Sequence, residues 1–195
     1  MELLRRLVTP RGLIAATGLA AVGLVAGGLV LANTLNLAAC PLCILQRMLY
    51  LLLGLEAVAA WLLAGATRTT LARRAAALVM AATALTGAGI ATYQTWLQRF
   101  AKGVSCTADQ PWWEAFVNWA GSQWPLMFEA SGLCSEAGWK FLGLSIAEWS
   151  LIAFTSMTIA MLVALAKKPQ GRAGSCAFHR SGSGGNPTPD PAGAR

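Results

Sequence analysis

The chain has 195 residues, of which 56% are hydrophobic and only 12% are charged, and its formal net charge is +7. Soluble domains carry about 25% charged residues, so this composition excludes an ordinary soluble protein and favours one whose surface faces lipid. The basic residues cluster in a few short segments, and this placement argues against a nucleic-acid-binding surface.

Four long stretches with few or no charged residues follow one another along the chain. A helix rises about 1.5 Å per residue, so a stretch of about 20 apolar residues spans the hydrocarbon core of a bilayer. We therefore predict an all-α membrane protein, a bundle of four transmembrane helices that forms a single membrane domain over residues 1–168. The predicted helices cover about residues 12–32, 44–66, 75–97 and 145–166.

Most of the basic residues lie in segments that four alternating helices place on one side of the membrane. Under the positive-inside rule this side is cytoplasmic, so both termini are predicted to be inside. The loops at about residues 33–43 and 98–144 then face the periplasm, and the second of them is unusually long. The basic residues on the cytoplasmic side are Arg5, Arg6, Arg11, Arg68, Arg73, Arg74, Lys167, Lys168, Arg172, Arg180 and Arg195.

The first predicted helix has an alternative interpretation as a cleaved signal peptide, because residues 37–40 are similar to a lipoprotein cleavage site. The apolar region of a signal peptide has about 7–15 residues, whereas the run at 12–32 is longer and a polar segment follows it. We therefore expect the helix to be retained. Its Gly23 and Gly27 have a small-xxx-small spacing, which predicts close packing against another helix.

A Cys-Pro-Leu-Cys motif, with Cys40 and Cys43 at its ends, stands at the start of the second predicted helix. The two cysteines are too close in sequence for a stabilising cross-link, because a short loop removes little chain entropy. They are typical of a redox pair instead. Pro41 suits the first turn of a helix, so the helix can begin at the motif itself.

Arg47 follows Cys43 by four residues, so a helix places it on the same face and about 6 Å deeper. A cation there favours the thiolate form of Cys43, and an arginine inside the hydrocarbon edge indicates a functional site. The alternative is an arginine that extends to the lipid headgroups. Glu56 on the same predicted helix lies half a turn out of phase with Arg47 and should not pair with it. It is either protonated or faces another helix.

Seven of the eight tryptophans lie in or beside the second periplasmic loop, and their amphipathic rings suit the headgroup layer. Residues 112–119 are predicted to form a short helix that lies in this interface. Pro111 at its first turn and Pro125 beyond it would bound the segment. A plain aromatic belt is the alternative, and it accounts for most of these residues.

Cys106 and Cys134 lie in the same loop, so four cysteines are predicted on the oxidising side, where disulfides persist. Four cysteines allow three pairings. If Cys40 and Cys43 form one pair, Cys106 and Cys134 form the other, and an exposed disulfide in a flexible loop is of the exchangeable kind. The alternatives are two purely structural disulfides, or a zinc site, which often has two Cys-x2-Cys pairs where this chain has one.

The segment 169–195 is composed mainly of Gly, Ser, Pro and scattered Arg. It contains too little apolar surface to fold, so we predict a disordered cytoplasmic tail. Cys176 and His179 in this tail have the spacing of metal ligands, but one cysteine and one histidine are not enough to predict a metal site.

A thiolate beside a cation at the membrane edge can pass electrons to a molecule dissolved in the bilayer. A quinone fits this description, because it is lipid-soluble, takes two electrons and two protons, and has a carbonyl oxygen that can accept a hydrogen bond from Arg47. The redox pair would then lie where a protein in water and a cofactor in lipid can both reach it.

These features together resemble the disulfide bond formation protein B (DsbB) family over about residues 11–167. The resemblance rests on the Cys-Pro-Leu-Cys motif with Arg47, on a periplasmic loop with two cysteines, and on a Phe-Leu-Gly-Leu run. The residues that carry it are Cys40, Pro41, Leu42, Cys43, Ile44, Arg47, Leu97, Gln98, Cys106, the segments 130–134 and 139–144, and Trp149.

The resemblance implies a route for electrons. A reduced DsbA-type protein, itself a thioredoxin-fold oxidant, attacks the Cys106–Cys134 disulfide and forms a mixed disulfide with Cys106. The freed Cys134 passes electrons to the Cys40–Cys43 pair, in which Cys43 faces the quinone, and Arg47 matches an arginine of the quinone site. Some relatives carry a histidine near the outer end of the third helix, where this chain has Gln94.

The sequence therefore leads to the hypothesis of an enzyme, a thiol:quinone oxidoreductase of the bacterial inner membrane. Its predicted partners are a periplasmic DsbA-type protein, the lipid bilayer and a membrane quinone, ubiquinone in preference to menaquinone, with no nucleic acid. One alternative is a conduit that carries reducing equivalents outward, although Cys176 has no second cytoplasmic cysteine to work with. The other is a membrane scaffold with two structural disulfides.

Overall fold

The computed structural model describes residues 9–67, 70–100, 112–135 and 138–167. Cys106, Cys176 and the predicted tail at 169–195 lie outside the described residues, so the predictions made for them are not addressed by the structure.

Four long helices form the body of the molecule. They are α1 (Pro10–Leu35), α2 (Pro41–Thr67), α3 (Thr70–Phe100) and α6 (Ile146–Ala166). All four are long and apolar enough to cross a bilayer, so the chain is a multi-pass membrane protein, and the predicted all-α bundle of four helices is confirmed. The first three helices extend past the apolar runs that predicted them, whereas α6 lies within its predicted range.

Local sequence explains where these helices begin. Thr9 caps α1, since its Oγ1 accepts a hydrogen bond of 3.1 Å from the Gly12 amide. Pro10 and Pro41 occupy the first positions of α1 and α2, where the missing N–H has no helical partner to lose. Ser145 caps α6 through a capping box. The proposal that α2 begins at the cysteine motif is thereby confirmed.

The helices pack in a closed ring, in which α1 lies against α2, α2 against α3, α3 against α6, and α6 against α1. The centre of the ring is filled by Phe154, whose ring stacks on Tyr50 at a centroid distance of 4.0 Å. Gly87 of α3 makes room for this pair, because a Cβ there would lie 2.4 Å from the Phe154 ring. Other side chains with no exposed surface in this core are Leu53, Met80 and Met161.

The prediction that Gly23 and Gly27 mediate close helix packing is wrong. Both are exposed, and no neighbouring atom lies within 4 Å of a Cβ built on either residue. The close approach of α1 to α2 occurs elsewhere on α1, at Gly18, where an added Cβ would lie 2.3 Å from the Ala57 Cβ. The small residues predicted correctly that α1 packs closely against another helix, but they did not predict which face of α1 makes the contact.

Glu56 faces α3, which agrees with the predicted alternative that this residue faces another helix. Its Oε1 accepts a hydrogen bond of 2.8 Å from the Thr83 hydroxyl. Its Oε2 is buried and has no hydrogen-bond partner among the described residues.

The second loop contains two short helices, α4 (Trp112–Gln123) and α5 (Pro125–Phe128). The predicted helix at 112–119 is therefore confirmed and extends four residues further. Gly121 lets the two helices fold on each other, since a Cβ there would lie 2.7 Å from the Phe128 carbonyl oxygen. Trp112 and Trp119 are more than half exposed. Their location in a lipid interface stays a prediction.

A small hairpin, which the sequence analysis did not predict, joins this loop to α6. Strand β1 (Lys140–Phe141) pairs antiparallel with β2 (Leu144–Ser145). The connecting residues Leu142 and Gly143 have φ of 53° and 81°, as a two-residue turn of this kind requires. The hairpin ends at Ser145, which is also the capping residue of α6.

Candidate redox-active site

The first turn of α2 is built around the sulfur atoms of its cysteine motif. Cys40 precedes the helix and takes the place of a capping residue, because its Sγ accepts a hydrogen bond of 3.3 Å from the Cys43 amide. Its carbonyl oxygen accepts a second bond, of 3.1 Å, from the Ile44 amide. The two sulfur atoms are 2.7 Å apart. Cys40 is 4% exposed, so the pair is held at a buried helix N-terminus.

The second loop docks onto the segment that precedes this motif. The amides of Ser131 and Gly132 both donate to the Ala39 carbonyl oxygen, at 2.9 and 3.0 Å. Gly132 lies so close to the first loop that an added Cβ would be 2.7 Å from the Ala38 carbonyl oxygen. The two loops are therefore joined backbone to backbone, two residues before Cys134.

This docking brings Cys134 into contact with Cys40. The Cys134 sulfur lies close enough to Cys40 for the two thiols to interact electrostatically, and it also lies near the Leu42 amide at the start of α2. Three sulfur atoms thus meet at the N-terminus of one helix, and they come from the first loop, from α2 itself and from the second loop. Within the described ranges these three cysteines, Cys40, Cys43 and Cys134, are free thiols.

The two thiols outside the membrane helices differ in acidity. Hydrogen bonding to Cys134 and then to Cys43, together with burial, raises the pKa of the Cys40 thiol above its ordinary range. The hydrogen bond from Cys40, helped by the Leu42 amide, lowers the pKa of the Cys134 thiol, while burial and the charges of Cys43 and Glu114 oppose this. The surroundings of the two thiols therefore favour the protonated form of Cys40 and the thiolate form of Cys134.

Gln94 of α3 lies against the sulfur pair. Its Nε2 is 3.2 Å from the Cys40 Sγ and 3.0 Å from the Cys43 Sγ, and its Oε1 accepts a hydrogen bond of 2.7 Å from Gln46. In the sequence, Gln94 stood out only as the match to a histidine of some relatives, and Gln46 was not predicted to belong to the site. The signal that could have indicated both residues is the presence of glutamines in predicted helices that are mostly apolar.

Arg47 lies one turn beyond Cys43 on α2, within electrostatic range of its sulfur, on the face that the sequence predicted. Its Nη1 donates a hydrogen bond of 2.5 Å to the Met127 carbonyl oxygen of α5. Arg47 therefore also anchors the second loop, a role that the sequence did not indicate. A guanidinium has five N–H donors, so this contact leaves others for a ligand.

The model of the DsbB family, described as disulfide bond formation protein DsbB, matches residues 10–164 of this chain. This chain belongs to the DsbB family. The matched region takes in the four-helix bundle except for the last two residues of α6, together with the Cys40–Cys43 motif, Cys106 and Cys134, and it ends before Cys176.

Individual relatives agree with this assignment, and each is named disulfide bond formation protein B. The relative from Dechloromonas aromatica is 38% identical over 163 residues, which cover 83% of this chain and 95% of the relative. The one from Nitrosospira multiformis is 39% identical over 138 residues, or 69% of this chain and 79% of the relative. The one from Verminephrobacter eiseniae is 36% identical over 168 residues, or 84% and 90%.

The family gives the chain its general role. It is a multi-pass membrane protein of disulfide bond formation, with an oxidoreductase role. In this DsbB protein, three of the four cysteines predicted to be redox-active lie in one cluster, and the fourth, Cys106, lies outside the described residues.

Proposed function

We propose that this DsbB protein is an inner-membrane thiol:quinone oxidoreductase that reoxidises a periplasmic DsbA-type dithiol protein. The observation that supports the proposal best is the docking of the second loop on Ala39, which brings Cys134 close to Cys40, beside Cys43. A thiolate attacks a disulfide only where it can reach one sulfur of that disulfide. The contact supplies such a path between the two loops.

In the proposed cycle the enzyme begins with Cys106–Cys134 and Cys40–Cys43 disulfides. A thiolate of the reduced client attacks the Cys106 sulfur, and Cys134 leaves as a thiolate. Cys134 then attacks Cys40, the Cys40–Cys43 bond breaks, and its electron pair stays on Cys43. The lowered pKa of Cys134 suits the attacking group.

The client's second thiolate next attacks the mixed disulfide at the client's own sulfur, so the client leaves oxidised and Cys106 leaves as a thiolate. Cys106 attacks Cys134, which restores the loop disulfide and releases Cys40. The enzyme now holds two more electrons, as the reduced Cys40 and Cys43. The net result is that the client dithiol has become a disulfide and the Cys40–Cys43 disulfide has become a dithiol.

The residues of the site fit a quinone as the electron acceptor. Cys43 and Arg47 lie in the first two turns of a membrane helix, with N–H donors of Arg47 left for a carbonyl oxygen. A quinone bound there would accept the two electrons of the reduced Cys40–Cys43 pair, which would return to a disulfide, and the two protons of the quinol would come from that pair and from water. We expect this electron acceptor to be ubiquinone in preference to menaquinone.

The proposal is tested by mixing the purified full-length protein with quinone and a reduced DsbA-type protein, and following quinone absorbance. We expect one quinone to be reduced for each client dithiol oxidised. Cys43→Ser should abolish quinone reduction, and Cys176→Ser, a matched cysteine change outside the proposed route, should leave it unchanged. Arg47→Ala should raise the quinone KM. Normal turnover of Cys43→Ser would contradict the proposal.

A further inference from the structure

Two buried glutamines that the proposed cycle does not use meet beside the sulfur pair. Gln46 of α2 is 4% exposed and Gln94 of α3 is 1% exposed. A buried amide group costs free energy unless its hydrogen bonds are made, and polar groups inside membrane bundles are commonly functional. The contacts of these two amides therefore indicate what they do.

Both the nitrogen and the oxygen of the Gln94 amide have hydrogen-bond partners. Its nitrogen has two N–H groups and lies within hydrogen-bonding distance of two sulfur atoms, at 3.0 Å from Cys43 and 3.2 Å from Cys40. Its oxygen accepts from the Nε2 of Gln46 at 2.7 Å. A hydrogen bond from a neutral N–H to an anionic acceptor is stronger than one to a neutral acceptor. Gln94 therefore favours a thiolate over a thiol at the sulfur it touches.

Gln46 determines which end of the Gln94 amide faces the sulfur atoms. If the Gln94 amide turned over while Gln46 kept its orientation, the Gln94 oxygen would face the sulfur atoms and its nitrogen would face the Nε2 of Gln46. Two donors would then oppose each other, with no acceptor between them. The bond from Gln46 thus holds the Gln94 N–H groups toward Cys40 and Cys43.

We propose that Gln94 is a catalytic residue that stabilises the Cys43 thiolate when the Cys40–Cys43 bond is opened, and that Gln46 is a positioning residue that orients the Gln94 amide. The inference deepens the proposed function and rests on it for the exchange at Cys40. It gives the leaving sulfur a partner that is uncharged and that keeps its hydrogen atoms throughout the cycle.

The test is the rate at which Cys43 is alkylated at a fixed neutral pH in the reduced full-length protein. Mass spectrometry resolves each cysteine, and Cys176 of the same chain gives the reference rate. Because the thiolate is the reactive form, we expect Gln94→Leu to slow alkylation of Cys43 about tenfold, equivalent to about 1.4 kcal/mol. Gln94→Glu keeps the shape of the side chain and replaces the donor by an acceptor, and it should slow the reaction as well.

Gln46→Leu should slow alkylation of Cys43 by a smaller factor, and it should have no further effect when Gln94→Leu is present, because Gln46 acts through Gln94. Thr92→Val is the matched control on α3, since the Thr92 hydroxyl is exposed and bonds its own helix. It should leave the rate unchanged. Unchanged rates in both Gln94 variants would overturn the role of Gln94, and additive effects would overturn that of Gln46.

The experiment separates this inference from the proposed function, because alkylation requires neither client nor quinone. Slower alkylation in the Gln94 variants would support the thiolate role even if the protein failed to reduce quinone. Conversely, a protein that reduces quinone normally while its Gln94 variants keep the parent alkylation rate would leave the proposed function intact and refute the inference.

Discussion

The three described cysteines have the same side chain but different surroundings. Cys40 is buried and lies next to two other sulfur atoms, Cys134 lies near the Leu42 amide, and the Gln94 amide reaches both Cys43 and Cys40. Each amide N–H favours a negative charge on the sulfur it contacts. The surroundings of Cys134 therefore favour a thiolate there, whereas burial and the neighbouring sulfur atoms favour a thiol at Cys40.

The acidity of Cys134 leads to a prediction for its pH profile. The hydrogen bond from Cys40 lowers the pKa of Cys134, so the thiolate persists to lower pH than an ordinary thiolate does. Cys40→Ala removes this donor, so the pKa of Cys134 should rise and the alkylation profile of Cys134 should shift to higher pH. Mass spectrometry of the reduced protein, alkylated across a pH series, measures the shift.

The control for this measurement is Thr34→Val, which removes an exposed hydroxyl that bonds only to backbone oxygens of α1. Its Cys134 profile should match that of the parent. A Cys40→Ala profile that coincides with the parent would contradict the hydrogen-bonded contact between the two thiols.

At the scale of elements, the site depends on how the second loop is attached. Ser131 and Gly132 bond to Ala39, Arg47 bonds to the carbonyl of Met127, and α6 begins at a capped Ser145. Arg99 at the end of α3 also forms a salt bridge with Glu148 in the first turn of α6. These contacts connect the second loop to the first loop, to α2 and to α6, while the salt bridge joins α6 to α3, and together they influence how near Cys134 lies to Cys40.

Gly132 is the position where this attachment is tightest. In Gly132→Ala the new Cβ would lie 2.7 Å from the Ala38 carbonyl oxygen, so the loop must shift. Displacements of about 1 Å can slow a reaction roughly 10²-fold, and we expect client-driven turnover in Gly132→Ala to fall by about tenfold or more. Stopped-flow measurement of dithiol oxidation gives the rate.

Gly138→Ala is the matched control, because no atom lies within 4 Å of a Cβ built on Gly138. It should turn over at the parent rate. If the two alanine variants have equal rates, the docking of residues 131–132 on the first loop does not govern the exchange.

At the scale of the whole molecule, the sequence predicted those features that depend on composition along one segment. Apolar length predicted the four helices, and Pro41 predicted the start of α2. The face on which α1 packs could not be predicted, because Gly18 and Gly23 have the same side chain and differ only in what lies opposite. Contacts between segments far apart in sequence are set by the packing of the assembled bundle.

The contacts of the site illustrate the same limit. The four predicted cysteines and Arg47 were identified by residue type and spacing, whereas the approach of Cys134 to Cys40 depends on backbone hydrogen bonds to Ala39. Gln94 was noticed as a position, but its contact with both sulfur atoms depends on the packing of α3 against α2. Residue type predicted the chemistry of the site, and tertiary packing determined which groups share it.

The central claim is that electrons pass from Cys134 to Cys40. It is tested most directly in a variant that carries Cys43→Ala and Cys106→Ala, in which the usual partner of each sulfur is absent. The reduced variant is oxidised with a mild thiol oxidant, and its disulfides are mapped by mass spectrometry. We predict an intramolecular disulfide between Cys40 and Cys134. If both remain thiols while Cys176, the one other cysteine of this variant, is oxidised, or if they join separate molecules, the account is contradicted.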